Sequence, residues 1–163
     1  MKAAHHVLFL CTGNSARSIM AESLLNALGG KRFRAYSAGS HPKGRVHPIA
    51  LEVLARGGYP TSGLRSKDWS EFAGPGAPRI DFVITLCDAA AGEACPAFPG
   101  NQVRAHWSLP DPAAVEGSEE AELRAFLETL SILGRRIQRF MSLPFSSLDR
   151  RALEPELRAI GEG

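Results

Sequence analysis

The sequence predicts a single α/β domain built on an open four-stranded parallel sheet with helices on both faces. Short apolar runs alternate with amphipathic stretches along the 163 residues, and strands alternating with helices give a parallel sheet. That length suits one domain able to bury a core without staples. The composition, 44% hydrophobic and 22% charged, is that of an ordinary globular chain.

Val7-Leu8-Phe9-Leu10 is wholly apolar and reads as a buried central strand. It runs into a tight loop at Cys11. A helix is expected from Ser18, with Met20, Leu24, Ala27 and Leu28 on one face and Gly29-Gly30 as its stop. Arg34 to Ser37 reads as a second strand, and Ala38 to Gly44 as a turn-rich connection. A helix is predicted over Pro48 to Arg56, with Ile49, Val53 and Leu54 on its apolar face, and a short one near Ser66 to Phe72. After a Gly/Pro loop at 74–78, Asp81 to Leu86 forms a third strand that ends at Cys87. The alanine-rich stretch 88–94 can be helical. Val103 to Trp107 gives a fourth strand, followed by the turn Leu109-Pro110-Asp111-Pro112.

From Glu119 to Met141 the residues Leu123, Phe126, Leu127, Leu130, Leu133, Ile137 and Phe140 keep a helical step. The expected domain covers 1–142, with 143–163 an extension in which Leu153, Leu157 and Ile160 repeat that step. Such a segment either packs as a short helix or frays. Parallel sheets bind ligands at the carboxyl ends of their strands. Cys11, Cys87 and the turn at Asp111 all follow predicted strands, so one sheet edge can gather them.

The net charge of +2 does not indicate a nucleic-acid surface. No apolar run reaches the roughly 18 residues of a membrane span, and the first residues lack a signal-peptide apolar region. A cytoplasmic, monomeric protein is expected. Three cysteines are an odd number, and in a reducing compartment thiols are more often catalytic or redox-active than structural. A buried cysteine can also be a small core residue.

Cys11-Thr12-Gly13-Asn14-Ser15-Ala16-Arg17-Ser18 places a cysteine and an arginine between a strand and a helix. Successive backbone N–H groups of such a loop converge on an anion, aided by the helix dipole. Arg17 adds a planar fork of donors suited to a tetrahedral oxyanion. The same field favours the nucleophilic thiolate of a cysteine. Hydroxyls of Thr12 and Ser18 are placed to hydrogen-bond to the sulfur. A Cys-x5-Arg pattern alone also occurs by chance, and its position between strand and helix is what lends it weight.

Val7 to Ser18, with Met20-Ala21-Glu22 and Ser37-Ala38-Gly39, resembles the low-molecular-weight protein tyrosine phosphatase superfamily, over about residues 7–142. Asp111-Pro112 matches its acid loop. The superfamily includes phosphatases and thiol-dependent arsenate reductases. Phosphatases need Cys11, Arg17 and Asp111 but neither Cys87 nor Cys95. The stretches Val83 to Cys87, Cys95-Pro96 and His106-Trp107 are similar to the reductases, and Ala113 stands where phosphatases commonly carry a tyrosine.

The resemblance implies reduction of arsenate to arsenite, as in arsenic detoxification. Cys11 is the implied nucleophile and Asp111 the proton donor, with Cys11–Cys87 and then Cys87–Cys95 disulfides. No tightly bound cofactor is implied; an external thiol reductant is, either thioredoxin or glutathione with glutaredoxin. Thioredoxin is favoured, although the seven residues between Cys87 and Cys95 exceed the usual spacing of thioredoxin-coupled members. A helix across that spacing rises about 12 Å, while a disulfide needs α-carbons within about 7 Å. The segment would therefore bend on oxidation.

In some reductases Asn14, Glu22 and Ser37 match a potassium site. Ser66-Lys67 stands where a further acidic ligand is expected, which speaks against that site here, and Asp68 has no definite alignment that would let it serve instead. His47 and His106 are expected to be structural, and Trp107 to pack beside the acid loop. A zinc site is not expected, since no Cys-x2-Cys spacing occurs. Two rival readings are a phosphatase and a non-enzymatic arsenite-binding or redox-sensing protein.

Overall fold

The computed structural model describes residues 4–87, 98, 100 and 102–162. Its strands are β1 (His5–Leu10), β2 (Phe33–Ala38), β3 (Phe82–Thr85) and β4 (Val103–His106), all parallel and in the order β2-β1-β3-β4. The described α-helices are α1 (Arg17–Gly29), α2 (Pro48–Arg56), α3 (Glu119–Met141) and α4 (Arg150–Ile160). The expected α/β fold is present, with strand ends differing by one or two residues.

Alternation along the strands divides the core in two. Val7, Phe9, Phe82, Ile84, Val103 and Ala105 share one cluster with apolar residues of all four described α-helices. Leu8, Leu10, Ala38 and Val83 point the other way, against Phe72 and Phe98. Phe72 ends the 3-10 helix Trp69–Phe72, so helical elements cover both faces unequally. The expected short helix begins only at Trp69, because Asp68 caps it by accepting from Ser70 N–H at 2.8 Å. Ser66 and Lys67 are non-helical and free to bond with the loop after β1.

Helix α1 is buried on more sides than its predicted face allows. Met20 and Leu24 are buried together with Ile19, Ala21 and Leu25, while Ala27 and Leu28 are exposed. A helix wedged between sheet and α3 needs apolar residues around most of its girth, and only its last turn meets water. In α3, Leu127 is exposed and Thr129 is buried in its stead, its hydroxyl donating to Ala125 O at 2.9 Å.

The C-terminal segment packs as a helix. Leu153, Leu157 and Ile160 enter the main core, and the Trp107 indole N–H donates to Leu157 O at 2.9 Å. Buried Arg136 of α3 donates to Ser108 O and Gly161 O at 3.1 and 3.2 Å. Those bonds tie α3, the end of α4 and the turn beyond β4 together.

Candidate active site

Register assembles the site. Leu10 lies beside Thr85, and Thr85 beside His106. Pairing continues past the strands, with Leu86 N–H donating to Leu10 O at 2.8 Å and Leu109 N–H to Leu86 O at 3.1 Å. Cys11, Cys87 and Asp111 are thereby carried to one edge. Since β1 adjoins both β2 and β3, the connections from β1 and β3 leave in opposite directions, which opens the crevice typical of such sheets.

The loop from Cys11 to Arg17 lines a cavity of about 30 Å³ together with Lys43 and Asp111. Ala16 at the start of α1 offers no side-chain acceptor to the helix N–H groups. Arg17 donates to Leu109 O at 3.0 Å and stands 3.9 Å from Asp111, whose carboxylate accepts from Ala113 N–H at 3.0 Å. Its guanidinium is 14% exposed and the Asp111 carboxylate 38%, so the acid sits at the wetted mouth.

Asn14 governs the loop's far side. It is fully buried at φ 43°, a left-handed value rare for a residue with a β-carbon. Its Oδ1 accepts from Lys67 N–H at 2.8 Å, which fixes the amide orientation, and its Nδ2 donates to Ser18 Oγ at 2.8 Å. Ser18 Oγ in turn lies 2.8 Å from Cys11 Sγ, within reach to donate its hydroxyl proton to a thiolate there. Thr12 departs from expectation: its N–H and hydroxyl lie 3.3 and 3.4 Å from Cys87 Sγ rather than bonding Cys11. Cys11 and Cys87, 3% and 6% exposed, pack against each other. Cys95 and the stretch 88–94 lie outside the described residues.

Backbone bonds fasten neighbouring segments to this loop. His41 N–H donates to Thr12 O, Lys43 N–H to Gly13 O and His47 N–H to Ser15 O, at 2.9, 3.0 and 2.9 Å. Ser66 Oγ donates to Gly13 O at 3.2 Å. The Lys43 side chain lies across Gly13, where an added β-carbon would stand 3.2 Å from its Cε. Behind the loop, Glu22 accepts from Ser37 Oγ and lies 3.6 Å from the Lys67 ammonium. Burial pushes the Glu22 carboxyl above its ordinary value, opposed by the Ser37 hydrogen bond and the Lys67 charge. Burial likewise pulls Lys67 below its ordinary value, opposed by the Glu22 charge.

A model of the family described as low molecular weight phosphotyrosine protein phosphatase matches residues 6–153. The chain belongs to this family. Among its relatives is an arsenate reductase of Halalkalibacterium halodurans, 37% identical over 134 residues, 82% of this chain and 93% of that protein. An arsenate reductase solved in a phosphate-binding state superposes with a TM-score of 0.69 at 28% identity, covering 85% of this chain and 97% of that one. A thioredoxin-dependent arsenate reductase of Corynebacterium glutamicum gives 0.56 at 27% identity, covering 84% and 63%.

Within this low-molecular-weight phosphatase fold, the two histidines stand apart from the cavity lining. His47 caps α2 by accepting from Ile49 N–H at 3.1 Å, and its ring packs on Phe126. His106 shares a 2.7 Å hydrogen bond with Thr85. Sequence reasoning overlooked Lys43, the Leu109 carbonyl and Ser66 as parts of the site. Their places depend on contacts between distant segments that no local pattern announces, although Gly39 in Ser37-Ala38-Gly39 marks the close backbone approach to Thr12 and Cys11. No described helix is long and apolar enough to cross a membrane.

Proposed function

We propose that this protein reduces arsenate to arsenite through a relay of its three cysteines. The observation that carries the reading is Cys87 Sγ, packed against Cys11 and hydrogen-bonded to Thr12 inside the oxyanion loop. Phosphoester hydrolysis needs no second thiol there. Two-electron reduction of a bound oxyanion does.

Cys11 thiolate attacks the arsenic of arsenate held by the loop N–H groups and Arg17. Asp111 protonates the departing oxygen, which leaves as water and gives a Cys11–arsenic(V) adduct. Cys87 thiolate then attacks Cys11 Sγ. The electron pair of the sulfur–arsenic bond stays on arsenic, releasing arsenite and leaving a Cys11–Cys87 disulfide. Cys95 next attacks Cys87, forming Cys87–Cys95 and freeing Cys11. An external dithiol of the thioredoxin class restores the two thiols, and the similarity to a thioredoxin-dependent reductase favours this donor over glutathione with glutaredoxin.

Replacing Cys87 with serine tests the reading. Steady-state arsenate reduction should vanish, while binding of inorganic phosphate and any hydrolysis of p-nitrophenyl phosphate persist. Arsenate turnover by Cys87→Ser would sink the relay. Phosphatase activity with no arsenate-dependent oxidation of thioredoxin or glutathione in the wild type would favour the family's hydrolytic reading, which Arg17 and Asp111 also suit.

A further inference from the structure

Glu22, Ser37, Lys67 and the far side of Asn14 form a polar cluster that takes no part in the steps above. The sequence resemblance would place a potassium ion among Asn14, Glu22 and Ser37, so these residues can be tested against that ion. They do not fit it. Asn14 Oδ1 already accepts the Lys67 N–H, and Glu22 already accepts from Ser37 and faces the Lys67 ammonium. That ammonium is held in place by donating to Arg65 O at 2.9 Å, and the lysine side chain is only 8% exposed. A metal ion beside it would set two like charges together in a medium that screens them poorly.

We propose that Lys67 is a built-in cation that positions the oxyanion loop in place of a bound monovalent ion. Its ammonium draws in Glu22, which stands on α1, the helix that begins at the loop. Its backbone is pinned from the other side, where Gly39 N–H donates to Lys67 O at 3.0 Å. With both anchors set, the Lys67 N–H holds Asn14 in its left-handed conformation against the strain that conformation carries. Asn14 orients Ser18, and Ser18 reaches Cys11 Sγ. Lys67 thus acts through Asn14 as a positioning residue.

The inference rests on the reading of the Cys11 loop as an oxyanion site, but its test does not need arsenate turnover. Alkylation of Cys11 by iodoacetamide, followed by peptide mass spectrometry, reports oxyanion binding as protection by inorganic phosphate. Wild-type protein should give the same melting temperature and the same half-protecting phosphate concentration in KCl and in choline chloride of equal ionic strength. Lys67→Ala should need several-fold more phosphate, because the buried Glu22 loses its counter-charge and no longer holds the loop in place. KCl, but not choline chloride, should restore the variant, and Glu22→Gln/Lys67→Ala should lose that rescue. A wild type that needs KCl overturns the proposal even if the variant fails to fold. So does a Lys67→Ala variant indistinguishable from wild type, or one that neither salt restores. If arsenate is not reduced while these shifts appear, the reductase reading fails and the assignment of Lys67 stands.

Discussion

Lys43 and Gly39 bound the oxyanion loop at its mouth and at its back. The methylenes of Lys43 lie over Gly13 and bring its positive charge to the cavity. Lys43→Ala should raise KM for arsenate about fivefold at low salt, because an exposed charge contact is worth up to about 1 kcal/mol, and leave kcat within about twofold. The effect should shrink as salt screens the charge. Gly39 is needed for space, since a β-carbon there would collide with Thr12 O and stand 2.6 Å from Cys11 O. Both obstacles are backbone and cannot step aside. Gly39→Ala should lower unfolding free energy by about 1–3 kcal/mol in urea titrations and slow arsenate turnover by displacing the Cys11 loop.

Among the elements, the 3-10 helix after Lys67 depends on its cap. The Ser70 N–H donating to Asp68 holds that carboxyl below its ordinary value. A depressed carboxylate adds stability above its unfolded-state value, near pH 3.8, and loses it as pH falls through the lower folded-state value. Asp68→Ala should therefore cost about 1 kcal/mol at neutral pH, and the gap to wild type should narrow below about pH 4 in melts across that range. At the C-terminus, Leu157 is fully buried and its carbonyl receives the Trp107 indole. Leu157→Ala should destabilise by about 2–5 kcal/mol. If α4 were a frayed appendage, the same change would leave the melting temperature where it was.

At the scale of the whole molecule, oxyanion binding and folding are linked, since the loop exists only where β1, β3 and the turn beyond β4 end together. Inorganic phosphate at a hundred times its Kd should stabilise the fold by about 2.7 kcal/mol. Arg17→Ala should abolish most of that rise in melting temperature. Much of this was legible beforehand. The four strands, the helices α1, α2 and α3 and the Cys11 loop follow from apolar periodicity and from Gly and Pro punctuation, which are local properties, whereas the step of Leu153, Leu157 and Ile160 left open whether α4 packs or frays until Trp107 and the main core were seen to hold it. The burial of α1 and α3 was less legible, because exposure of Ala27, Leu28 and Leu127 depends on which neighbour covers which turn.

The sequence by itself determined the chemistry on offer: a cysteine and an arginine bracketing a loop between strand and helix, an Asp-Pro turn, and two further thiols. Tertiary structure decided which groups meet. Register across β1, β3 and β4 carried Cys87 to Cys11 and Asp111 to Arg17, gave the Thr12 hydroxyl to Cys87, and set Lys67 against Glu22. Residues distant in the chain acquire their partners only through the packing of the elements that carry them, and hydrogen bonds and buried charges act over a few ångströms.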